Sequence, residues 1–589
     1  MGRVALLICL LLVGSKAIAD DVIPAEKPSA STITSKKSSA PHTPINIEHY
    51  KKKRIDKPLS NAEISTYKEI FAAQSEGDWD KADFFIKKID NPVLLGHVLI
   101  QRYFHDDYTP SVKQYQEWQN AFRDLPQSGR VDRILGTNKS TYTGRANGTL
   151  EELRYFARGS KYISEKYNGD QRYQVNELRK ALHRELADGR VTYALNFFET
   201  NPVQSYIDPI DKAQILAEIA AHYLYLDSPK QAEATALKAL KSSEQAPLAG
   251  WVMGLATWIG GDMATAAKYF TIASEAPYAS PWMTSAAAYW ASRAYMKAKM
   301  YKNVTPALAK AVEYQRTFYG LLATKTKGYG YDFNWTMPQL TAKEEDILLK
   351  NPVGARVLGL AKIGQWALAE EELFNLPIKD SPDLAEAALA VAHHYNLAGY
   401  AMRFSLSNAN PAGGYYDSGL FPVSSWTKSD KFEDEALLNA FIRQESRFRI
   451  HAYNGTGATG LMQVMPSTAA YITNNDIYLT AKGLKQLYNP KTNVEIGAVY
   501  LDHLLHLKAV NHDMFSLAIA YNAGPGKLSR WKKEIAIKDP LLFIELIPSS
   551  ETRAFVERVL TNYWIYQMQM GIEPTTLLKV AEGHWPVAD

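Results

Sequence analysis

The sequence predicts a mainly α-helical protein, built from a helical solenoid, a shorter helical segment and a final helical domain. Between about Asn61 and Lys327, apolar residues recur at spacings of three and four, which is the period of one helix face. Small residues stand where two such helices would cross. No segment after the N-terminus has the roughly 18 uninterrupted apolar residues of a membrane helix. The 589 residues are therefore expected to bury their apolar side chains in packed cores.

The first 19 residues have the layout of a cleavable secretory signal. Arg3 is followed by an apolar run from Val4 to Val13 and by Ala17-Ile18-Ala19, so cleavage is expected after Ala19. Cys9, the only cysteine, lies in the apolar run. The exported chain would have no disulfide, and its stability would come from packing alone.

Residues 20–60 are rich in Ser, Thr, Pro and Lys and are interpreted as a flexible, basic leader. Removal of Arg3 and Lys16 with the signal changes the formal charge from +4 to +2. A nearly neutral chain does not imply nucleic acid as a partner.

Residues 61–335 are predicted to form stacked pairs of helices. In the stretch PLAGWVMGLATWIGGDMATAAKYF, Trp251, Leu255 and Trp258 share one helical stripe, and Gly260-Gly261-Asp262 makes a turn before the partner helix. Such pairs stack into superhelices. The repeat is degenerate. The segment is interpreted as a scaffold, and the alternative that it is a solenoid that binds a partner stays open.

Two further segments follow. Residues 336–420 are predicted to be a helical linker domain, because Gly and aromatic residues precede it and NANPAGGYYDSGLFP ends it. Residues 421–589 contain the motifs that carry chemistry.

The stretch DEALLNAFIRQESRF predicts an amphipathic helix with a carboxyl group on its apolar face. Residues three and four apart share a face, so Glu445 projects with Phe441, Ile442 and Phe448. Taken alone, this pattern favours a buried glutamate paired with an arginine such as Arg449.

The stretch GTGATG, Gly455–Gly460, fits the G-x-G-x-x-G pattern of dinucleotide-binding loops. A predicted helix precedes it, whereas a phosphate loop follows a strand. The glycines are instead expected to let the backbone approach another part of the protein closely.

Four blocks occur in order with compatible spacing: ES at Glu445-Ser446, GLMQ at Gly460–Gln463, AYN at Ala520–Asn522, and ELIPSSETRAFVERVLTNYWIY at Glu545–Tyr566. They resemble the motifs of the soluble lytic transglycosylases of bacterial murein. The resemblance covers about Glu433 to Gln567, and SPWMTSAAAYWASRAY and RTFYGLLA extend it over most of the mature chain.

This resemblance implies a ring-like helical superhelix, a linker domain and a C-terminal lysozyme-like catalytic domain. It implies a periplasmic enzyme that acts on peptidoglycan glycan strands; whether other cell-wall enzymes are partners stays open. Glu445 would be the catalytic acid. The residues that would shape or line its sugar groove are Ser446, Asn454, Met462, Gln463, Tyr521, Asn522, Glu551 and Tyr563.

Two positions depart from the family pattern. Asn454 stands where many relatives have Ser, and Arg449 stands where they often have Asp. Asn454 can still donate and accept hydrogen bonds, while Arg449 alters the charge at the groove's edge.

Glycoside cleavage requires an acid for the leaving oxygen and a stabiliser for the cationic carbon, commonly a second carboxylate. The candidates Asp476, Glu495, Asp502 and Glu551 lie on other blocks, and the sequence does not place them near the sugar. A one-carboxylate mechanism is therefore preferred. In it the substrate's N-acetyl group assists, and Glu445 returns as base while the sugar's 6-hydroxyl closes onto C1.

His503, His506 and His512, close to Asp502, suggest a competing metal site. Their spacing is not that of H-E-x-x-H, so neither a metal nor a cofactor is expected. The alternatives kept open are a hydrolytic muramidase of the same fold, a metal-dependent murein peptidase and a non-catalytic murein-binding scaffold.

Overall fold

The computed structural model describes residues 45–51, 57–143, 149–155, 160–429 and 431–588. The predicted signal, residues 1–19, and most of the predicted leader lie outside these ranges. Within them the chain is helical, and only isolated β-bridges occur. The mainly α fold class predicted from the sequence is confirmed.

The α-helices in chain order are α1 Ile47–Lys51, α2 Asn61–Ser75, α3 Trp79–Ile86, α4 Leu95–Tyr103, α5 Val112–Ala121, α6 Ser128–Leu135, α7 Gly169–Ala187, α8 Val191–Glu199, α9 Pro209–Tyr225, α10 Pro229–Ser242, α11 Pro247–Ile259, α12 Met263–Glu275, α13 Pro281–Lys297, α14 Val304–Val312, α15 Phe318–Lys327, α16 Ala342–Leu349, α17 Pro352–Lys362, α18 Trp366–Leu373, α19 Pro382–His394, α20 Ala398–Ser407, α21 Asp417–Leu420, α22 Glu435–Glu445, α23 Pro466–Thr473, α24 Ala481–Leu487, α25 Pro490–Leu505, α26 Met514–Ala523, α27 Pro525–Ile535, α28 Pro540–Glu545, α29 Ser550–Gln569 and α30 Thr575–Ala581. Short 3-10 helices cover Glu151–Leu153, Pro202–Ser205, Tyr301–Asn303, Ile378–Asp380, Ser425–Thr427 and Asp476–Leu479.

One helix lies inside the predicted flexible leader. α1 buries Ile47 and Tyr50, which are one turn apart, and the Tyr50 hydroxyl donates to the Ile86 carbonyl at 3.0 Å. Two apolar contacts and a long-range hydrogen bond offset the ordering entropy of this short segment. The leader is therefore not flexible throughout.

Helices α11 and α12 form a close pair, as the small residues between them predict. A Cβ atom at Gly250 would lie 2.8 Å from the Tyr269 carbonyl oxygen, and one at Gly254 would lie 2.6 Å from the Phe270 ring. In the turn, Gly261 has a left-handed φ of 85°, and the Asp262 carboxylate caps α12 by accepting from the Thr265 N–H at 3.0 Å.

The core is continuous from the solenoid helices into the C-terminal helices. It includes residues from Tyr167 in front of α7 to Val580 in α30. At the junction Phe318 of α15 stacks on Trp564 of α29 with ring centroids 5.2 Å apart. The Arg293 guanidinium of α13 pairs with Asp539, which caps α28, at 2.5 Å. The C-terminal helices are thus held on the solenoid by both apolar and ionic contacts.

The early helices contact the predicted linker. His97 Nε2 of α4 lies 2.7 Å from the Glu372 carboxylate of α18, and both side chains are fully buried. Arg356 of α17 bridges the same carboxylate, at 2.8 Å, and Asp124, at 2.7 Å.

The predicted segments correspond to runs of helices: α2–α15 lie within residues 61–335, α16–α21 within 336–420 and α22–α30 within 421–589. The domain boundaries themselves stay predictions. Among the described residues, no helix combines the length and the apolar composition needed to span a bilayer.

Candidate active site

Glu445 is the last residue of α22, and the chain turns sharply after it. Asp434 begins the helix by accepting from the Leu437 N–H at 2.9 Å. Arg447 and Phe448 have left-handed φ angles of 53° and 62°, which are uncommon for residues other than glycine. Backbone strain of this kind tends to gather at functional sites. The turn at Arg447 and Phe448 ends α22 and leaves Glu445 at the helix terminus.

The surroundings of Glu445 favour its protonated form. The side chain is half-buried, and Phe441 and Ile442 on the preceding turn are fully buried. Burial raises the pKa of Glu445 to about 8, and the charge of Glu551 acts in the same direction. The carbonyl end of α22 also disfavours a negative charge. Glu445 therefore holds a proton at neutral pH, as a general acid requires.

Tyr521 of α26 lies beside this carboxyl group. Its ring centroid is 4.6 Å from that of Phe441, and its hydroxyl donates to the Met462 carbonyl at 2.7 Å. Burial, followed by the charge of Glu445, raises the pKa of Tyr521. Tyr521 thus connects the α22 terminus to the GLMQ segment and stays neutral.

Met462 acts through its backbone. Its side chain is completely buried, and a Cβ atom at Gly497 of α25 would lie 2.3 Å from its sulfur. The thioether therefore fills the space that Gly497 leaves, and the role of Met462 in shaping the sugar groove stays a prediction. The carbonyl remains, oriented by Tyr521.

Other residues of the GLMQ block make close contacts within the fold. Gln463 has a left-handed φ of 47°, and its amide Nε2 donates to the Gly460 carbonyl at 2.9 Å. A Cβ atom at Gly460 would lie 2.4 Å from the Asn493 amide nitrogen. Of the three glycines in Gly455–Gly460, Gly460 allows a close approach to Asn493 of α25, whereas a Cβ atom at Gly455 would meet nothing within 4 Å.

Two of the predicted groove residues, Ser446 and Tyr563, are buried, and their hydroxyl groups donate to other parts of the protein. The Ser446 hydroxyl donates to the Ile442 carbonyl at 3.2 Å, inside α22. The Tyr563 hydroxyl donates to Asp434 at 2.7 Å and so ties α29 to the start of α22. Both residues position the helix that carries Glu445.

Three of the predicted residues are exposed or half-buried. Asn522 accepts from the Thr552 hydroxyl at 2.7 Å, and Glu551, in the first turn of α29, is exposed. Asn454 is exposed too, and its side-chain oxygen accepts from the Thr456 and Ala458 N–H groups, both at 3.0 Å. Asn454 therefore closes the glycine-rich turn, which a shorter serine would reach less easily.

Arg449 bonds to the backbone at the end of α22. Its Nε donates to the Ser446 carbonyl at 3.2 Å, one turn away along the chain. The carbonyl contact fixes the bend after α22.

Asn493 of α25 is a positioning residue that the sequence interpretation missed. It is fully buried; its amide donates to the Thr459 and Leu487 carbonyls, both at 2.9 Å, and its oxygen accepts from the Met462 N–H at 2.8 Å. Three hydrogen bonds satisfy the side chain and fix the loop that holds the GLMQ block. The sequence signal that could have identified Asn493 is a polar residue on the apolar face of a predicted helix.

The histidines do not gather at one point. His506 lies 3.5 Å from Asp502 and packs edge-on to His512, whereas His503 packs against Tyr471. Within the described part of the chain, no group of three or more His, Cys, Asp or Glu side chains is placed to hold a metal ion.

Comparison with known protein families agrees with the motifs. The model of the transglycosylase SLT domain matches residues 416–543. The soluble lytic murein transglycosylase of Escherichia coli K12 is 30% identical over 269 residues, which is 45% of this chain and 41% of that protein. A putative soluble lytic murein transglycosylase of Haemophilus influenzae is 27% identical over 274 residues, 45% of this chain and 44% of that protein. The chain thus spans less than half the length of these curated relatives.

Among solved structures, the 70 kDa soluble lytic transglycosylase Slt70 of Escherichia coli has a TM-score of 0.45 at 18% identity, covering 87% of this chain and 98% of that one. The complex of the 70 kDa soluble lytic transglycosylase with bulgecin A gives a TM-score of 0.46 at the same identity and coverage. The ordered motifs, the domain model and the sequence relatives agree with one another. Residues 416–543 match the transglycosylase SLT domain, and the chain is similar to soluble lytic murein transglycosylases over less than half of its length.

Proposed function

We propose that the protein is a lytic murein transglycosylase that cleaves the β-1,4 bond between N-acetylmuramyl and N-acetylglucosaminyl units. The observation that carries the proposal is Glu445, a half-buried carboxyl group with a pKa of about 8, at the end of α22 in the E-S motif. Such a group is protonated at neutral pH and can donate to the leaving oxygen. The proposal includes export to the periplasm, which the signal pattern of residues 1–19 supports, and murein glycan strands as substrate, which the names of the relatives support.

The proposed reaction uses Glu445 twice. Its proton passes to the glycosidic oxygen, the bond to C1 breaks, and the N-acetyl carbonyl of the substrate stabilises the cationic carbon. The resulting carboxylate then takes the proton of the muramyl 6-hydroxyl, whose oxygen bonds to C1. An attack within one sugar unit benefits from high effective molarity. The product is a 1,6-anhydromuramyl end, with no water consumed.

Supporting roles are proposed for the neighbouring residues. Asn522 supplies an amide group toward the substrate N-acetyl group, Gln463 holds the turn of the GLMQ block, and Tyr521 keeps the Met462 carbonyl oriented. Ser446 and Tyr563 position α22, and Asn454 shapes the adjacent turn.

A hydrolytic muramidase is the second candidate, and one observation favours it. The charge of Glu551 reaches Glu445, so a second carboxylate is close enough to perturb the first. A second carboxylate that activates water is what an inverting hydrolase needs. In the preferred mechanism Glu551 only helps to keep Glu445 protonated.

Mass analysis of the products from purified sacculi in ¹⁸O-labelled water separates the two reactions. We expect muramyl ends that are lighter by one water than hydrolytic ends, resist borohydride reduction and contain no ¹⁸O. Reducing ends carrying ¹⁸O would establish hydrolysis. In that case Glu551→Gln should abolish turnover as completely as Glu445→Gln.

A further inference from the structure

Thr552 of α29 contacts Asn522, the amide residue next to Tyr521 in the AYN block. Thr552 is the third residue of α29 and is 2% exposed, and its hydroxyl donates to the Asn522 Oδ1 at 2.7 Å. Phe555, three residues further along the same face of α29, stacks on the ring of Tyr521 with centroids 6.4 Å apart. One face of α29 therefore contacts both polar residues of the AYN block.

Ser549 supports the hydrogen bond from Thr552 to Asn522. The hydroxyl oxygens of Ser549 and Thr552 are 3.0 Å apart, and Ser549 also accepts from the Thr552 N–H at 3.2 Å. A hydroxyl has one proton, whereas the carboxamide oxygen that faces Thr552 can only accept. The Thr552 proton therefore goes to Asn522, and the proton between the two hydroxyl groups comes from Ser549.

The nitrogen of the Asn522 amide is left for a ligand. Asn522 is half-buried, and none of the residues that the structure describes accepts a hydrogen bond from its Nδ2. The Nδ2 atom is accessible to solvent, since it is not enclosed as an unpaired polar atom inside the protein. An amide nitrogen donates and does not accept. Asn522 in this orientation thus offers N–H groups to an acceptor oxygen.

We propose that Thr552 is a positioning residue, which turns the Asn522 amide so that its N–H groups bind the carbonyl oxygen of the muramyl N-acetyl group. The inference rests on the proposed function, in which that carbonyl stabilises the cation at C1. A carbonyl oxygen has two lone pairs, so it can accept from Nδ2 with one and face C1 with the other. Without the Thr552 hydroxyl, the amide is free to turn its own oxygen toward the carbonyl, which repels it.

Binding to the full chain carrying Glu445→Gln tests this contact separately from catalysis. The ligands are peptide-free murein glycan strands, either N-acetylated or with the acetyl groups removed, and calorimetry gives the two Kd values. Thr552→Val, added to Glu445→Gln, should weaken binding of the N-acetylated strand about tenfold, as loss of one hydrogen bond typically does, and should leave the Kd of the deacetylated strand unchanged. Thr552→Ser keeps the hydroxyl and should restore the affinity.

Thr561→Val is the matched control. Thr561 lies on the same helix, is also 2% exposed, and donates to the Glu557 carbonyl at 2.7 Å within α29. Its replacement should change neither Kd. Asn522→Asp tests which end of the amide faces the substrate: the carboxylate still accepts from Thr552 but has no N–H group. Its affinity for the N-acetylated strand should fall at least as far as that of Thr552→Val.

Three results would overturn the inference. They are Kd values of Thr552→Val equal to those of Thr561→Val, an equal loss of affinity for both strands, and full affinity of Asn522→Asp for the N-acetylated strand. Thermal unfolding shows which variants are folded, and Asn522→Asp, which keeps the bond from Thr552, decides the question if Thr552→Val does not fold. Failure of the wild type to cleave any murein strand would instead overturn the proposed function.

Discussion

At the scale of single residues, the environment of Glu445 is the feature that chemistry depends on. Burial at the end of α22 and the nearby charge of Glu551 hold its pKa near 8, far above that of an exposed glutamate. The carboxyl group is consequently an acid at neutral pH and a competent base once it has given up its proton.

Glu445→Gln should abolish turnover while leaving the fold intact, because glutamine keeps the shape of the side chain but has no proton to donate. Loss of general acid–base function typically costs about 10²- to 10⁴-fold in rate. The measurement is the release of soluble fragments from sacculi, with Glu534→Gln on the exposed face of α27 as control. Wild-type cleavage by Glu445→Gln would remove Glu445 from the mechanism.

The same variant should change the pH dependence of stability. The pKa of Glu445 is raised in the folded state, so the folded protein holds a proton that the unfolded chain releases above its ordinary value of 4.5. This contribution to stability is fully present below about pH 4.5 and is lost as the pH rises to about 8. Relative to wild type, Glu445→Gln should therefore gain in Tm between pH 5 and pH 9. A Tm difference that does not change with pH would contradict the raised pKa.

The residues around Glu445 were predictable to different degrees. The position of Glu445 on an apolar helix face follows from a local spacing of three and four residues. The burial of Met462 does not follow from any local spacing. It depends on Gly497, which lies on another helix and leaves space for the sulfur. The proximity of Glu551 to Glu445 is likewise a tertiary fact, which no local pattern encodes.

At the scale of elements, α25 and the glycine-rich turn form one unit joined by Asn493. Asn493→Asp removes both amide donors and sets a negative charge against the Thr459 and Leu487 carbonyls. We expect a loss of at least about 2 kcal/mol in the free energy of unfolding, since each buried unpaired group costs 1–3 kcal/mol. Turnover should fall as well, because the GLMQ segment loses its support.

Urea unfolding and kcat measured on the same samples test this prediction. Asn475→Asp is the matched control: Asn475 is exposed and accepts from the Ile477 N–H at 3.1 Å, a capping bond that aspartate also makes. Equal stability of the two aspartate variants would show that the Asn493 contacts do not support the loop.

The helices themselves were the most predictable part of the fold. Periodicity, Asp262 as a cap and Gly261 as a turn locate α11 and α12, because these signals act within a few residues. The short helix α1 was not predicted. Its two apolar residues are too few to show a period, and its stability comes from contacts with residues such as Ile86, distant in sequence.

At the scale of the whole molecule, the solenoid helices α7–α15 and the C-terminal helices α22–α30 share one core. Phe318 of α15 stacks on Trp564 and lies 6.0 Å from Phe515, measured between ring centroids. The Tyr319 hydroxyl next to it donates to Glu545 at 2.5 Å. A core that is continuous across this junction couples the unfolding of both halves.

Phe318→Ala should therefore destabilise the C-terminal helices although Phe318 belongs to the solenoid. Truncating a fully buried phenylalanine typically costs about 3–5 kcal/mol, and here the cavity would open against Trp564 and Phe515. We expect a lower Tm by calorimetry and by Trp fluorescence alike, with the KM for short glycans unchanged, because Phe318 makes none of the contacts of the Glu445 site. Phe84→Ala is the control: its side chain is 56% exposed on α3, and its removal should cost little. If Phe318→Ala melted at the same temperature as Phe84→Ala, the contacts of Phe318 with Trp564 and Phe515 would not couple the unfolding of the solenoid helices to that of the C-terminal helices.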